Sequence, residues 1–168
     1  MNRYILYVIA GYLSGSVLYA RVMCHLFGGE AALPDCKDGN PGASNAFACG
    51  GFACGALTLT GDLLKGIVPV WLFVRSGEPI TPTALALVLA APVAGHAFPC
   101  FYGFHGGKGI AVSFGCLLGL VPLWEPVLLF AGCFIFFSVV VKITPHFQRT
   151  AVTYLVTLLL MAFTHQLR

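Results

Sequence analysis

Long apolar runs separated by short polar segments dominate this sequence, and they limit its possible folds more than any other feature. Residues 4–27 form the first run, which exceeds the roughly 20 residues that a helix needs to cross a bilayer. Further apolar runs follow, and only 9% of the residues are charged. Ordinary soluble domains carry roughly a quarter charged residues. The sequence therefore predicts an all-α integral membrane protein.

The apolar runs predict a polytopic bundle of about six transmembrane helices, all within a single transmembrane domain over residues 1–168. The expected spans are residues 4–27, 52–73, 83–101, 110–121, 127–141 and 150–164. The first run is too long for the core of a cleaved signal peptide. Its small residues Gly11, Ser14, Gly15 and Ser16 suit close packing against another helix.

A polar stretch at residues 28–51 separates the first two expected spans. It includes GNPGASN at residues 39–45, whose Gly, Pro and Asn residues predict turns rather than regular structure. Asn40, Ser44 and Asn45 are neutral hydrogen-bonding groups suited to a hydroxylated or phosphorylated ligand. A turn that only connects two spans is the alternative interpretation.

A second glycine-rich stretch, residues 103–109, precedes the fourth expected span. Gly106, Gly107 and Gly109 allow the backbone N–H groups to approach a ligand, and Lys108 adds a positive charge. The helix expected from residue 110 would place its N-terminus at the same point. These features predict an anion site that suits phosphate. The pattern does not fit a Walker A loop, so it does not indicate nucleotide binding; a lysine that only marks a span's cytoplasmic end is the alternative.

Asp62, Lys65 and His96 are ionisable residues in or near expected spans. Asp62 and Lys65 are three residues apart, so they share a helix face and can pair. Charges in a bilayer are costly and favour the protein interior or a water-filled cavity. A functional role is the default hypothesis for such residues, and a purely structural ion pair or a small transporter are the alternatives.

Other residue types narrow the possible partners. The net charge of +3 is spread along the chain, which argues against nucleic acid. The seven cysteines include no C-x-x-C pair, and we expect free thiols that act as small apolar side chains. No His, Cys or carboxylate cluster has metal-ligand spacing, so no metal or other cofactor is expected.

The distribution of basic residues predicts the orientation. With six spans, Lys37, Lys108, Lys142 and Arg149 fall on one side of the membrane, with Arg21 about one helical turn away. On the other side fall Arg3, Arg75 and Arg168. The positive-inside rule then assigns the two polar loops to the cytoplasm and both termini to the opposite side.

Four sequence segments together resemble one family. They are GNPGASN at residues 39–45, GDLLKG at 61–66, GHAFP at 95–99 and GFHGGKG at 103–109. In this order and spacing they are similar to the bacterial acyl-phosphate glycerol-3-phosphate acyltransferases, the PlsY family. YLSGS at residues 12–16 also resembles that family's first span. The resemblance covers roughly residues 9–149.

The resemblance implies a multi-pass enzyme of the bacterial inner (plasma) membrane with its site on the cytoplasmic side. Such an enzyme transfers a fatty acyl group from acyl phosphate to the first hydroxyl of glycerol 3-phosphate, which gives lysophosphatidic acid. The expected catalytic residues are His96, Asn40 and Asn45. The expected substrate- and phosphate-binding residues are Lys108, Gly106, Gly107, Gly109, His105, Gly42, Ser44, Asp62 and Lys65.

This chain departs from the family pattern at several positions. Asp38 stands where the family usually has Ser, and Ala46, Phe47 and Ala48 replace a usual Arg. His105 stands where Lys is common, and the family's seventh span and terminal His and Asn are not expected here. A non-catalytic relative that binds a lipid phosphate or a membrane partner is therefore the alternative function. Acyl-chain preference and oligomeric state stay open.

Overall fold

A computed structural model of the chain describes residues 3–28, 36 and 39–166. Within these residues, all regular secondary structure is helical. The α-helices are α1 (Tyr4–Gly15), α2 (Tyr19–Leu26), α3 (Ala43–Arg75), α4 (Pro82–Ala97), α5 (Ile110–Leu118), α6 (Glu125–Ile135) and α7 (His146–Gln166). A short 3-10 helix, Cys100–Tyr102, follows α4, and a π-helical segment, Phe136–Val140, follows α6.

Helix length and composition confirm the all-α membrane fold. Among the described residues, four segments are long and apolar enough to cross a membrane, and a shorter apolar segment is Glu125–Val140. The four are Tyr4–Leu26, Ala43–Arg75, Pro82–Tyr102 and Phe147–Thr164. The expected fourth span corresponds to α5, which has only 9 residues. At 1.5 Å per residue, a helix of that length is too short to cross the hydrocarbon core alone.

The expectation of turns throughout residues 39–45 is wrong for residues 43–45, whereas the expected start of the second span at about residue 52 agrees with the long apolar part of α3, which begins after Gly51. The structure begins α3 at Ala43, directly after Gly42 in an extended conformation. Ala-rich sequence here satisfies helix propensity. Gly51 has φ of 81°, and this left-handed residue separates the first turns of α3 from its long apolar part. The polar motif therefore forms a turn at residues 39–42 and the start of a helix at residues 43–45.

The chain groups into two compact units, residues 1–120 and 121–168. In the first unit, α4 packs on α1 and α5 packs on α3. A Cβ atom at Gly15 would overlap the backbone of Pro92, and one at Gly95 would overlap the carbonyl oxygen of Tyr12. These two glycines let the backbones of α1 and α4 touch, as the small-residue face predicts.

The apolar core of the first unit lies along α3, α4 and α5. Its buried members include Val70, Phe73, Val88, Val112 and Cys116. Thr81 caps the start of α4, because its hydroxyl accepts a hydrogen bond from the backbone N–H of Ala84 at 3.2 Å.

The second unit consists of α6, the π-helical segment and α7. The rings of Phe130 and Tyr154 pack together, with their centroids 5.2 Å apart. Two threonine hydroxyls of α7 form hydrogen bonds within the helix, since Thr153 and Thr157 each donate to the backbone carbonyl four residues earlier. The expected single domain over residues 1–168 stays a prediction.

Candidate active site

Asn40 joins the two glycine-rich motifs, which are distant in sequence. Its side-chain Oδ1 accepts a hydrogen bond from the backbone N–H of Lys108 at 3.2 Å. Its own carbonyl accepts from the backbone N–H of Gly42 at 2.8 Å, which closes a tight turn. The structure therefore brings the GNPGASN motif and the glycine turn into one place, as the sequence predicts for the two walls of a site.

Asn45 stabilises the turn at Asn40 through hydrogen bonds from its side chain. It is buried on the first turn of α3, and its amide nitrogen donates to the carbonyls of Cys36 at 2.9 Å and Asn40 at 3.0 Å. The structure also joins Cys36 to Cys49 in a disulfide, so the expectation of free thiols is wrong for this pair. The other five cysteines form no disulfide, and four of them are buried.

Two loop residues in the sequence predictions, Lys37 and Asp38, lie outside the described residues. The position where the family usually has Ser thus has no structural description. Ser44 is exposed on the first turn of α3, and Gly42 is half-buried before that helix.

The glycine turn folds back onto the end of α4. The backbone N–H of Gly107 donates to the carbonyl of His96 at 3.0 Å. A Cβ atom at Gly106 would overlap that same carbonyl oxygen, and one at Gly107 would overlap Nε2 of His96. Only glycine allows this approach, because any side chain would displace the turn from the histidine.

The turn ends where α5 begins. Gly109 adopts the left-handed conformation with φ of 71° and occupies the N-cap position, so Lys108 lies directly before the helix. The N-terminal N–H groups of a helix carry a partial positive charge. The half-buried Lys108 and the start of α5 therefore place positive charge at one point, which is the arrangement that binds phosphate.

His105 contacts its own turn, and its predicted phosphate-binding role stays a prediction. Its side chain is exposed, and its Nδ1 lies 2.6 Å from the carbonyl oxygen of Gly103 within the same turn.

Asp62, Lys65 and His96 form a buried cluster beneath the glycine turn. All three are at most 3% exposed. Lys65 Nζ lies 2.8 Å from Asp62 Oδ1, in a buried ion pair, and 2.8 Å from His96 Nδ1. The structure thus confirms the predicted pairing of Asp62 with Lys65, adds His96 to it, and buries all three side chains. Asp62 and Lys65 support His96, and His96 in turn contacts the glycine turn.

Lys65 has a third partner that the sequence did not indicate. Its Nζ donates to the backbone carbonyl of Val17 at 2.7 Å. That carbonyl is available because α1 ends at Gly15 and α2 begins at Tyr19. The small residues before it signalled helix packing but gave no sign of a helix break, so a backbone ligand was not predictable from side-chain types.

Arg21 is a second cation near the turn, and the sequence motifs gave it no role in the site. Its exposed guanidinium lies over the Tyr102 ring, 5.2 Å from the centroid, just before the glycine turn. Its neighbour Ala20 packs in a buried cluster with Ala46, next to Asn45. Arg21 therefore lies between the segments that contain the two motifs.

No cofactor-holding arrangement is evident in the described ranges. No group of three or more His, Cys, Asp or Glu side chains is placed to hold a metal ion in that part of the chain. What the arrangement offers chemically is positive charge, backbone N–H groups and a neutral amide at one membrane-embedded site.

The fold and the site together define a class of protein. It is a helical membrane protein in which a buried ion pair supports a glycine-rich turn that contains a lysine. The family described as Glycerol-3-phosphate acyltransferase matches residues 5–167. This chain belongs to that family.

Relatives agree with this assignment. A Glycerol-3-phosphate acyltransferase of Shewanella halifaxensis is 42% identical over 116 residues, which cover 67% of this chain and 55% of the relative. One of Cupriavidus taiwanensis is 44% identical over 124 residues, which cover 71% of this chain and 59% of the relative. The chain thus spans somewhat more than half the length of these curated relatives.

A solved structure agrees in fold. The crystal structure of PlsY (YgiH), an integral membrane glycerol 3-phosphate acyltransferase in its glycerol 3-phosphate form, superimposes with a TM-score of 0.78 at 26% identity. The match covers 96% of this chain and 77% of that protein. A second PlsY structure, the lysophosphatidic acid form, gives a TM-score of 0.76 at 25% identity.

Proposed function

We propose that this chain is an acyl-phosphate:glycerol-3-phosphate acyltransferase. The observation that carries the proposal is the hydrogen bond from the Lys108 backbone to Asn40 Oδ1, which unites the lysine-bearing turn with the Asn motif. The names of the relatives and of the PlsY crystal forms support glycerol 3-phosphate as acceptor and lysophosphatidic acid as product.

The reaction forms one carbon–oxygen bond and breaks another. The first hydroxyl of glycerol 3-phosphate attacks the acyl carbonyl carbon of acyl phosphate, and the bond between that carbon and the phosphate oxygen breaks. Inorganic phosphate leaves and, in the net balance, takes the hydroxyl proton. The products are lysophosphatidic acid and phosphate, with no oxidation or reduction.

The described residues suit a catalyst that works by placement and charge. Both substrates carry phosphate, and phosphate is a good leaving group from an acyl carbon. Lys108 and the N-terminus of α5 supply positive charge that holds a phosphate, while Asn40 fixes the turn. Correct alignment of two bound reactants lowers the barrier substantially without a covalent intermediate.

The proposed setting is a bacterial cell membrane with the site facing the cytoplasm. The described membrane-length helices support a multi-pass protein, in which the acyl chain of the donor remains in the lipid phase. The positive-inside distribution that includes Lys108 supports the cytoplasmic orientation.

The test is product formation by the purified protein. Palmitoyl phosphate and glycerol 3-phosphate are supplied to the chain in detergent or a lipidic phase, and lysophosphatidic acid is measured by mass spectrometry. We expect product, and we expect Lys108→Ala to lose it at least about a hundredfold, the size of effect seen when one charge-stabilising group is removed.

Arg75→Ala is the matched control, because it removes a cation at the far end of α3. It should retain wild-type turnover. Folded wild-type protein that forms no product, or a Lys108→Ala variant as active as wild type, would contradict the proposal.

A further inference from the structure

The buried cluster of Asp62, Lys65 and His96 determines which ring nitrogen of His96 lies beside the glycine turn. Nδ1 of His96 lies 2.8 Å from Lys65 Nζ. The opposite ring nitrogen, Nε2, lies against Gly107, where a Cβ atom would overlap it. The ring therefore connects the ion pair on one side with the candidate phosphate site on the other.

Lys65 restricts the hydrogen-bonding state of this ring. A lysine ammonium has three donors and no acceptor. One of its N–H groups is directed at the Val17 carbonyl, and the Asp62 carboxylate beside it balances its charge. Nδ1 can then only accept from Lys65, so the proton of the neutral imidazole resides on Nε2.

Asp62 does not compete for Nδ1 in this arrangement. The distance from His96 Nδ1 to Asp62 Oδ1 is 3.8 Å, which is too long for a hydrogen bond. The carboxylate acts on His96 only through Lys65.

We infer that Lys65 is a positioning residue that fixes His96 as the Nε2–H tautomer, so His96 donates a hydrogen bond toward the glycine turn and does not act as a base there. The nature of the acceptor rests on the proposed function. It is a phosphate oxygen or the developing carbonyl oxyanion of the acyl group, both of which need donors. The tautomer itself does not depend on that function.

The direct test is nuclear magnetic resonance of protein with ¹⁵N-labelled histidine, without substrate. Two-bond couplings from the ring nitrogens to the ring protons distinguish the two tautomers. The chain has five histidines, so a His96→Gln variant identifies the His96 signal by its loss. We expect a single Nε2–H tautomer in the wild-type protein.

Two variants separate positioning from simple stability. Lys65→Arg keeps a cation that only donates, still paired with the Asp62 carboxylate, and should keep the Nε2–H tautomer. The double variant Asp62→Leu/Lys65→Met removes both charges together, because one partner left alone would be an unpaired buried charge. It should fold, as measured by thermal unfolding, and should show a mixture of the two tautomers.

The same double variant has a kinetic expectation. Only the Nε2–H fraction of His96 can donate, so the KM for glycerol 3-phosphate should rise or kcat should fall in proportion to that fraction, about twofold for an equal mixture. An Nδ1–H tautomer in the wild type, or an unchanged single Nε2–H tautomer in the folded double variant, would overturn the inference. An inactive protein with the expected tautomers would contradict only the proposed function.

Discussion

Positive charge near the turn is supplied by two side chains of different exposure. Lys108 is half-buried beside the Asn40 hydrogen bond, whereas Arg21 is exposed and stacked on Tyr102. A usual family arginine is absent after Asn45, where Ala46, Phe47 and Ala48 stand. At the scale of single residues, Arg21 is the described cation best placed to attract an anion to the turn from outside.

Arg21→Ala should raise the KM for glycerol 3-phosphate by about twofold to fivefold, with little change in kcat, because an exposed charge contributes modestly. The effect should shrink at high salt, since exposed charges are screened. Steady-state kinetics at two ionic strengths measure both.

Arg75→Ala is a close control for that experiment. Arg75 is also exposed and also stacks on an aromatic ring, with its guanidinium 4.8 Å from the Trp71 centroid. It should leave the KM unchanged. Equal effects of the two substitutions would contradict a local role for Arg21.

At the scale of structural elements, glycines allow the close contacts between the helices and the candidate site. The turn after α4 touches His96 because Gly106 and Gly107 have no side chains. A displacement of about 1 Å in such a site can cost a hundredfold in rate.

Gly107→Ala should therefore reduce kcat/KM by about a hundredfold, because a methyl group would overlap Nε2 of His96 and displace the turn. Gly132→Ala in α6 is the control, since a Cβ atom there meets nothing within 4 Å. If the two variants were equally active, the contact between the turn and His96 would not matter for the reaction.

A packing prediction concerns α1 and α4. Gly15→Ala should lower the free energy of unfolding by about 1–3 kcal/mol, because the added methyl overlaps the Pro92 backbone and forces overpacking. Thermal unfolding in detergent, with Gly132→Ala again for comparison, measures this. A Gly15→Ala variant as stable as wild type would show that the two helices separate at no cost.

Helix type and approximate position were predictable from the sequence, but several boundaries were not. Apolar length alone indicates the spans that contain α3 and α4. The start of α3 at Ala43 depends on the Asn45 amide, which bonds the carbonyls of Cys36 and Asn40. Residues 39–42 keep the turn that Gly, Pro and Asn favour, and these contacts determine where the helix begins after it.

The sequence was sufficient to predict which residues lie in the candidate site, but not all of the contacts between them. The spacing of Asp62 and Lys65 indicated a pair on one helix face, and the structure confirms that contact. The Val17 carbonyl could not be identified, because backbone groups become available only where a helix breaks. The assignment of catalytic roles to His96, Asn40 and Asn45 stays a prediction.

At the scale of the whole molecule, the two ends of α3 allow the orientation of the protein in the membrane to be tested. Ser44 is exposed at the beginning of that helix, near the candidate site, and Ser76 is exposed immediately after its end. A helix that crosses the membrane places these two residues on opposite sides.

With the site facing the cytoplasm, Ser44→Cys should react with a membrane-impermeant maleimide only in inside-out vesicles, and Ser76→Cys only in right-side-out vesicles. Labelling above the level of the wild-type protein, which already contains free cysteines, gives the readout. The reverse pattern would contradict the proposed orientation.

The central claim is that Asn40 and the Lys108 turn form one phosphate site. Isothermal titration of glycerol 3-phosphate into the purified protein, without acyl donor, tests that claim before any chemistry occurs. We expect saturable binding that is lost in Lys108→Ala, weakened about tenfold in Asn40→Ala by the loss of a hydrogen bond, and retained in Arg75→Ala. Folded wild-type protein that binds no glycerol 3-phosphate, or binding that Lys108→Ala leaves intact, would contradict the account.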